Sequence, residues 1–240
     1  MTGIADIHCH VIPGVDDGAA DMETALQMLR MEYEQGVRRI IFTPHFRREY
    51  FETSRDVIKA RFWELCGQVR MQGIGLELYL GCEFHRQSDM FELSDKERAY
   101  RMADSDYILM EFSGADTADT VKRYVTEALI HGVRPVIAHA ERYPALRNVR
   151  LVRFLVDSGA YIQVNAGAIL GNEGWSSRRF CKVLLKEGLV HLIGSDAHDT
   201  KKRRPCMAQC VSYLERKFGA DRAEQLMIDN PGRIIANEYI

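Results

Sequence analysis

Several familiar features are missing from this 240-residue chain. The segment Met1-Thr-Gly-Ile-Ala-Asp-Ile-His8 has no basic stretch followed by an apolar one, so no secretory leader is expected. No apolar run approaches the roughly 20 residues that a membrane helix needs, which argues against an integral membrane protein. The formal net charge is only −2, so no global nucleic-acid footprint is expected. No cysteine pair has the C-x-x-C spacing of a zinc ribbon, and the six cysteines lack the density of a disulfide scaffold. Reduced thiols and a cytoplasmic location are the expectation. Neither G-x-G-x-x-G after the first strand nor G-x-x-x-x-G-K-[ST] anywhere is found, which removes the usual nucleotide-binding signatures.

An apolar fraction of 46% is ordinary for a globular protein with a substantial core. Apolar strand-like runs alternate with helical periodicity along the whole length. Strands are expected at about 6–10, 39–45, 76–83, 107–112, 135–141, 161–166 and 190–196. Helices are expected from Asp21 to Gly36, from Ser54 to Gly73 with Val57, Leu65 and Val69 inward, and over 120–131 with Val121, Val125, Ala128 and Leu129 inward. Others are expected over 149–158, 177–187, 206–218 and 221–229, with Pro231 beginning the last turn. The stretch 89–103 reads as polar and irregular, with short helical character at best. Asp21 is a plausible N-cap, and Gly36, Gly73, Gly132, Gly159 and Gly188 follow helix ends. Alternation at this spacing implies βαβ units and a parallel sheet. No composition shift marks a boundary. The fold class expected is α/β: one domain over residues 1–240, a distorted, TIM-like (β/α)7 barrel, with an open doubly wound sheet as the alternative.

The chemistry lies at the strand ends. His8 and His10, two apart in a strand, project from one face, and Asp16 and Asp17 follow on the next loop. Imidazoles converging with carboxylates suit zinc, manganese or iron better than calcium. Taken alone, the pair could equally be two solvated histidines. Every other expected strand except the sixth also ends in a ligand-type residue: His45, Glu83, Glu111, His139, and Asp196 with His198. In a parallel barrel all C-terminal strand ends open onto one face, where active sites are built. Their joint occurrence points to a multinuclear metal site.

Other polar residues read as bland. His131 suits a helix C-terminus, His191 starts its strand on the opposite rim, and His85 sits in a polar loop. Cys210 and Arg216 match the bare C-x5-R spacing of cysteine-dependent phosphatases. That chemistry needs a phosphate-cradling loop, and this glycine-free spacer lies in an amphipathic helix pattern. The basic run Lys201-Lys-Arg-Arg204 is usually solvated, but here it directly follows a strand end and could draw an anion to the mouth.

The ordered set D-I-H-C-H…D-D-G, T-P-H, G-C-E, E-F-S, I-A-H-A-E-R-Y, Q-V-N-A and G-S-D-A-H resembles the polymerase and histidinol phosphatase (PHP) superfamily. Within it, the chain is most similar to the bacterial manganese-dependent protein tyrosine phosphatases of capsule and exopolysaccharide clusters. The resemblance runs to the terminal I-D-N-P-G-R-I-I, and V-D-D-G and H-A-E-R-Y are its most specific parts. It implies three divalent metals, manganese foremost, with iron, zinc or magnesium as alternatives. His8, His10, Glu83 and Asp196 would hold the first. Glu83 would bridge to a second, completed by Glu111 and His139. Asp17, His45 and His198 would hold the third. Arg142 and Arg204 would grip the phosphoryl group, and with Asp196 and His198 make up the implied catalytic set. Phe46 departs from the polar or basic residue that relatives often carry, which bears on the substrate rim. The implied reaction is hydrolysis of phosphotyrosine on a protein, foremost the tyrosine-rich tail of a bacterial tyrosine autokinase. A homo-oligomer is compatible with the reading. The competing readings are a small-molecule phosphatase such as one for histidinol phosphate, and a nuclease or non-catalytic PHP module. The complete ligand set argues against a dead module, and the near-neutral charge against a nuclease.

Overall fold

The structure is a computed structural model that describes residues 1–240, the side chain of Ala99 apart. In chain order its regular elements are β1 (Ile4–Cys9), α1 (Met22–Glu34), β2 (Val37–Phe42), β3 (His45–Phe46), α2 (Arg55–Met71), β4 (Glu77–Leu80), β5 (Glu83–His85) and α3 (Met90–Lys96). Then come β6 (Tyr107–Glu111), α4 (Ala118–Ile130), β7 (Arg134–Ile137), α5 (Val149–Asp157), β8 (Tyr161–Asn165), α6 (Ala166–Leu170) and α7 (Trp175–Lys186). The chain finishes with β9 (Leu192–Gly194), α8 (Met207–Phe218), α9 (Ala220–Glu224) and α10 (Asn230–Ile235).

All strand pairs are parallel, in the orders β1-β2-β4 and β3-β5-β6-β7-β8-β9. The two sheets are one curled wall. β2 and β3 are a single strand interrupted at Thr43-Pro44, because proline cannot donate to a ladder. β4 and β5 are likewise interrupted at Gly81-Cys82. Hydrogen bonds carry the ladder across both gaps: Gly81 N to Phe42 O at 2.7 Å and Glu83 N to Pro44 O at 3.1 Å. The last strand returns to the first, with Asp196 N donating to His8 O at 2.8 Å and His10 N to Ala197 O at 2.9 Å. Seven strand positions therefore make a distorted barrel, as the alternating pattern predicts. Glycine permits that closure: a Cβ on Gly194 would lie 2.5 Å from His8 Cβ.

The core has two parts. Ile7, Ile41, Tyr107, Leu109, Val136 and Leu192 form a buried cluster from alternating strand positions, joined by Ile234 from α10. A larger cluster lies between strands and helices. Asp21 and Ser54 cap α1 and α2 by accepting from Thr24 N and Val57 N.

Several local expectations need correction. Val57 is 44% exposed and Leu129 is 37% exposed. Ile58 takes the inward position beside Val57, and Ala128 is buried as expected beside the exposed Leu129; a one-residue rotation of 100° is enough to turn a side chain off the apolar stripe. The fifth expected strand stops at Ile137, because His139 adopts φ +29° and turns the chain into the short 3₁₀ turn Ala140–Arg142. The short helical character allowed for the stretch 89–103 is there as α3, anchored by the buried Met90 and Phe91. Helix runs on through a π segment, Gln225–Asp229, into α10, and Pro231, which has no N–H to donate, sits directly after that irregular segment.

Candidate metal centre

The residues expected to converge do so at the C-terminal end of the barrel. His8 and His10 leave β1 fully buried. His8 Nε2 lies 3.0 Å from Glu83 Oε2 and 3.6 Å from Asp196 Oδ1. His10 Nε2 lies 3.1 Å from the same glutamate oxygen and 3.5 Å from the same aspartate oxygen. Potential ligand atoms of His8, His10, Glu83 and Asp196 all lie within 4.8 Å of one another. Two further groups meet the same criterion: His10, Asp17, His45 and His198, and His45, Glu83 and Glu111. Glu83, His10 and His45 each belong to two groups.

His139 belongs to none of these three, yet its Nε2 lies 2.6 Å from Glu83 Oε1. Beside Glu111 the structure sets His45, with Nδ1 3.9 Å from Oε2, while His45 Nε2 lies 3.5 Å from Asp17 Oδ1. That ring thus turns one nitrogen toward each of two groups. His85, His131 and His191 stay outside all three. His131 caps α4 and pairs with Asp95 at 2.9 Å. His191 Nδ1 accepts from Ile162 N at 3.1 Å at the other end of the barrel.

Neighbouring groups orient the rings. Asp16 Oδ2 accepts from His10 Nδ1 at 2.8 Å, Gln163 Oε1 lies 3.3 Å from His8 Nδ1, and the carbonyl of Asp196 lies 3.0 Å from His198 Nδ1. Each contact occupies Nδ1 and directs the Nε2 lone pair inward, as metal-binding histidines require. Tyr143 Oη does the same for His139 at 3.0 Å. Gln163 and Asn165 show what the sixth strand contributes: Gln163 Oε1 also accepts from His139 N at 2.5 Å, and Asn165 Nδ2 donates to Asp196 Oδ2 at 3.0 Å. Their residue type, amide rather than ligand, hid them. Their position at a strand end was the available signal.

Burial and crowding shift the titrations in opposite directions. Burial opposes charge on His10, but Asp16 and Glu83 outweigh it and push His10 up to about 10. Burial pulls His45 down to about 4. Burial, then the neighbouring Glu83, pushes Glu111 up to about 8. Glu83 and Asp196 are held well below the usual carboxylate range, because His8 and other cationic neighbours overcome their burial. Two site residues, His139 and Asp196, also have left-handed backbone, φ +29° and +52°. A Cβ on Gly18 would lie 2.1 Å from His10 O, so the D-D-G loop can fold onto the site only with glycine there.

A divalent-metal centre fits this donor set. His45 Nδ1, Glu111 Oε2, Asp196 Oδ1 and His198 Nε2 are buried with no hydrogen-bond partner. Leaving such atoms unsatisfied costs roughly 1–3 kcal/mol each, and all four face the ligand groups.

Beside the cluster is a cavity of about 260 Å³ lined by Arg142, Glu173, Asp196, Lys202, Arg203 and Arg204, among others. Arg142 pairs with Asp196 at 2.7 Å and with Glu173 at 3.1 Å, so its carboxylate partners are Asp196 and Glu173 rather than Glu141. Arg204 is exposed at the cavity wall. Arg203, which the sequence shows only as part of a basic run, reaches Asp196 at 2.9 Å. Phe46 packs edge-on against Phe84 and Tyr100, an aromatic seat at the flank of the core. Cys210 lies in α8, fully buried, its thiol pushed up by burial, and no phosphate-binding loop surrounds it.

The chain is 34% identical to the tyrosine-protein phosphatase CpsB of Streptococcus agalactiae over 98% of its own length and 99% of that protein. It is 30% identical to the tyrosine-protein phosphatase YwqE of Bacillus subtilis, over 98% of this chain and 92% of that one. A chain from the crystal structures of YwqE from Bacillus subtilis and CpsB from Streptococcus pneumoniae, described as metal-dependent tyrosine phosphatases, superposes with a TM-score of 0.91. The match has 30% identity and covers 99% of this chain and 96% of that one. An organophosphorus hydrolase superposes at TM-score 0.64 with 13% identity, over 97% of this chain and 92% of that one, a likeness of fold alone. The family described as "Capsular polysaccharide synthesis, CpsB/CapC" matches residues 4–236, and the chain belongs to that family of PHP type.

Proposed function

We propose that the protein is a metal-dependent phosphotyrosine-protein phosphatase. The observation that carries this reading is the barrel mouth: buried imidazoles and carboxylates with unpaired atoms facing one another. Membership of a family whose members are named tyrosine-protein phosphatases selects the substrate class. We assign His8, His10, Glu83 and Asp196 to a first divalent metal, Glu83, Glu111 and His139 to a second, and Asp17, His45 and His198 to a third. Manganese is the metal proposed. When bound, such cations neutralise the phosphate dianion and acidify water near neutral pH.

The protein's own groups do the rest. Asp16, Gln163 and Tyr143 hold the histidine rings in one orientation. Asp196 and His198 fix the inner edge of the substrate position. Arg142 and Arg204 donate to equatorial phosphoryl oxygens and strengthen those bonds as a metaphosphate-like transition state develops. A tyrosyl oxygen has a pKa of about 10, so it leaves with less help from an acid than an alkoxide needs. The proposed partner is the tyrosine-rich tail of a bacterial tyrosine autokinase in capsule or exopolysaccharide synthesis, met in the cytoplasm. No helix among the described residues is long and apolar enough to cross a membrane. The test is turnover of a phosphotyrosine peptide beside histidinol phosphate, with manganese supplied. A strong preference for the peptide is expected, and a large preference for histidinol phosphate would reverse the assignment.

A further inference from the structure

A second feature begins where the mouth ends. α6 starts at Ala166, directly after Asn165, which holds Asp196. Gly167 of this short helix lines the phosphate-side cavity, and Leu170, three residues on, lines a groove between α7 and α8. The same short helix therefore contributes a wall residue to each opening, three positions apart. The loop Gly171–Gly174 joins them. Its Glu173 contacts Arg142 in the mouth, and the next helix opens with Trp175, 72% exposed.

Beyond Trp175 the groove is basic. Arg178, Arg179 and Lys182 from α7 and Arg216 from α8 line it, with Tyr213. All four cations are exposed, and none has an ion pair with a carboxylate among the described residues. Arg179 stacks over the Trp175 ring at 5.3 Å. No acidic residue lines either part of the groove. A chain with a net charge of −2 thus gathers unpaired positive charge along one track leading away from its active mouth.

We infer that the α7–α8 groove docks an acidic segment flanking the phosphotyrosine of a protein substrate. The inference rests on the phosphatase reading and adds to it a determinant of substrate choice. Charge complementarity selects the occupant: four unpaired cations favour Asp- and Glu-rich sequence, and the indole of Trp175 supplies a face for an apolar or aromatic residue between the acids. The shared wall of α6 places the groove beside the cavity, as a peptide running on from the phosphoryl site needs. Exposed rim charges act on encounter and KM more than on the chemical step, and salt weakens them.

The test uses the full chain with manganese and three substrates: free phosphotyrosine, a phosphotyrosine peptide flanked by Asp and Glu, and the same peptide flanked by Lys. The wild type should prefer the acidic peptide by about tenfold in kcat/KM at low ionic strength, expressed in KM, with the preference shrinking in added salt. The double charge reversal Arg179→Glu with Lys182→Glu lies on an exposed helix face. It should erase or invert that preference while leaving turnover of free phosphotyrosine near wild type. The single variant Lys182→Ala should give an intermediate loss. Equal use of both peptides by the wild type, or an acidic preference that survives charge reversal, would overturn the docking site and leave the phosphatase assignment standing. Inactivity on all three substrates would remove both. Binding to phosphatidylserine vesicles that depends on the same two residues, with peptide preference unchanged, would assign the track to a lipid surface and overturn the inference.

Discussion

At the base of the barrel, Tyr107 Oη donates to Glu238 O at 2.7 Å and accepts from Ile240 N at 3.1 Å, while Arg134 donates to Asn237 O and Glu238 O. At the mouth, Glu111, Asp196, His45 and His198 each keep a buried polar atom with no partner. Tyr107 is as fully buried as Glu83 at the mouth, so burial does not separate the two ends. Satisfaction does. Where the task is to close the fold, the C-terminal tail supplies a partner for each of these donors and acceptors. Where the task is chemistry, the partners are withheld, and the rings of His10, His8 and His198 are aimed by Asp16, Gln163 and the Asp196 carbonyl. The two ends also use histidine differently. His191 at the base takes one backbone hydrogen bond, whereas the mouth histidines crowd against carboxylates and one another.

The contrast can be broken most severely by removing what the mouth awaits. The purified protein is expected to carry two or three divalent metals, and chelation should abolish turnover. Elemental analysis showing only trace metal in protein that stays active in EDTA would refute the metal centre. His139→Ala should lower metal occupancy and activity together.

A smaller effect separates chemistry from ligation within the mouth. Arg142→Ala should reduce kcat/KM on a phosphotyrosine peptide by about 10²-fold or more, the usual loss for a donor that works in the transition state. Metal content and melting temperature should stay near wild type. Wild-type turnover, or loss only through unfolding, would make Arg142 a structural partner of Asp196 and Glu173.

At the base the expected effect is on stability alone. Burial pulls His191 down to about 4, so between that value and its unfolded pKa near 6.5 the unfolded chain binds the extra proton. The neutral ring's contribution is therefore complete above pH 6.5 and is lost as pH falls toward 4, by up to about 3 kcal/mol. His191→Gln should flatten the acid limb of a Tm-versus-pH curve and leave kcat/KM at pH 7.5 alone. Identical acid limbs in the two proteins would mean that the ring is not buried as described. The smallest effect belongs to the wall between the ends: Cys210→Ser, inside α8, should leave turnover essentially intact. Loss of activity with folding and metal retained would make the phosphatase cysteine-dependent.

The sequence by itself determined the alternation of strands and helices, because periods of 2 and 3.6 residues follow from backbone geometry, and it determined which strand ends carry ligand-type side chains. His8, His10, Glu83, Glu111, His139 and Asp196 were legible for that reason, as was the bland setting of Cys210. Only the tertiary structure decided the rest. That Val57 faces solvent depends on which wall α2 meets, and that His45 stands beside Glu111 depends on strand register across β3, β5 and β6. Gln163, Asn165, Tyr143 and Arg203 act through partners 4 to 155 residues away in sequence. Their roles come from distances that no local pattern encodes, since a hydrogen bond is set by the closing of the barrel and not by the spacing of residues along the chain.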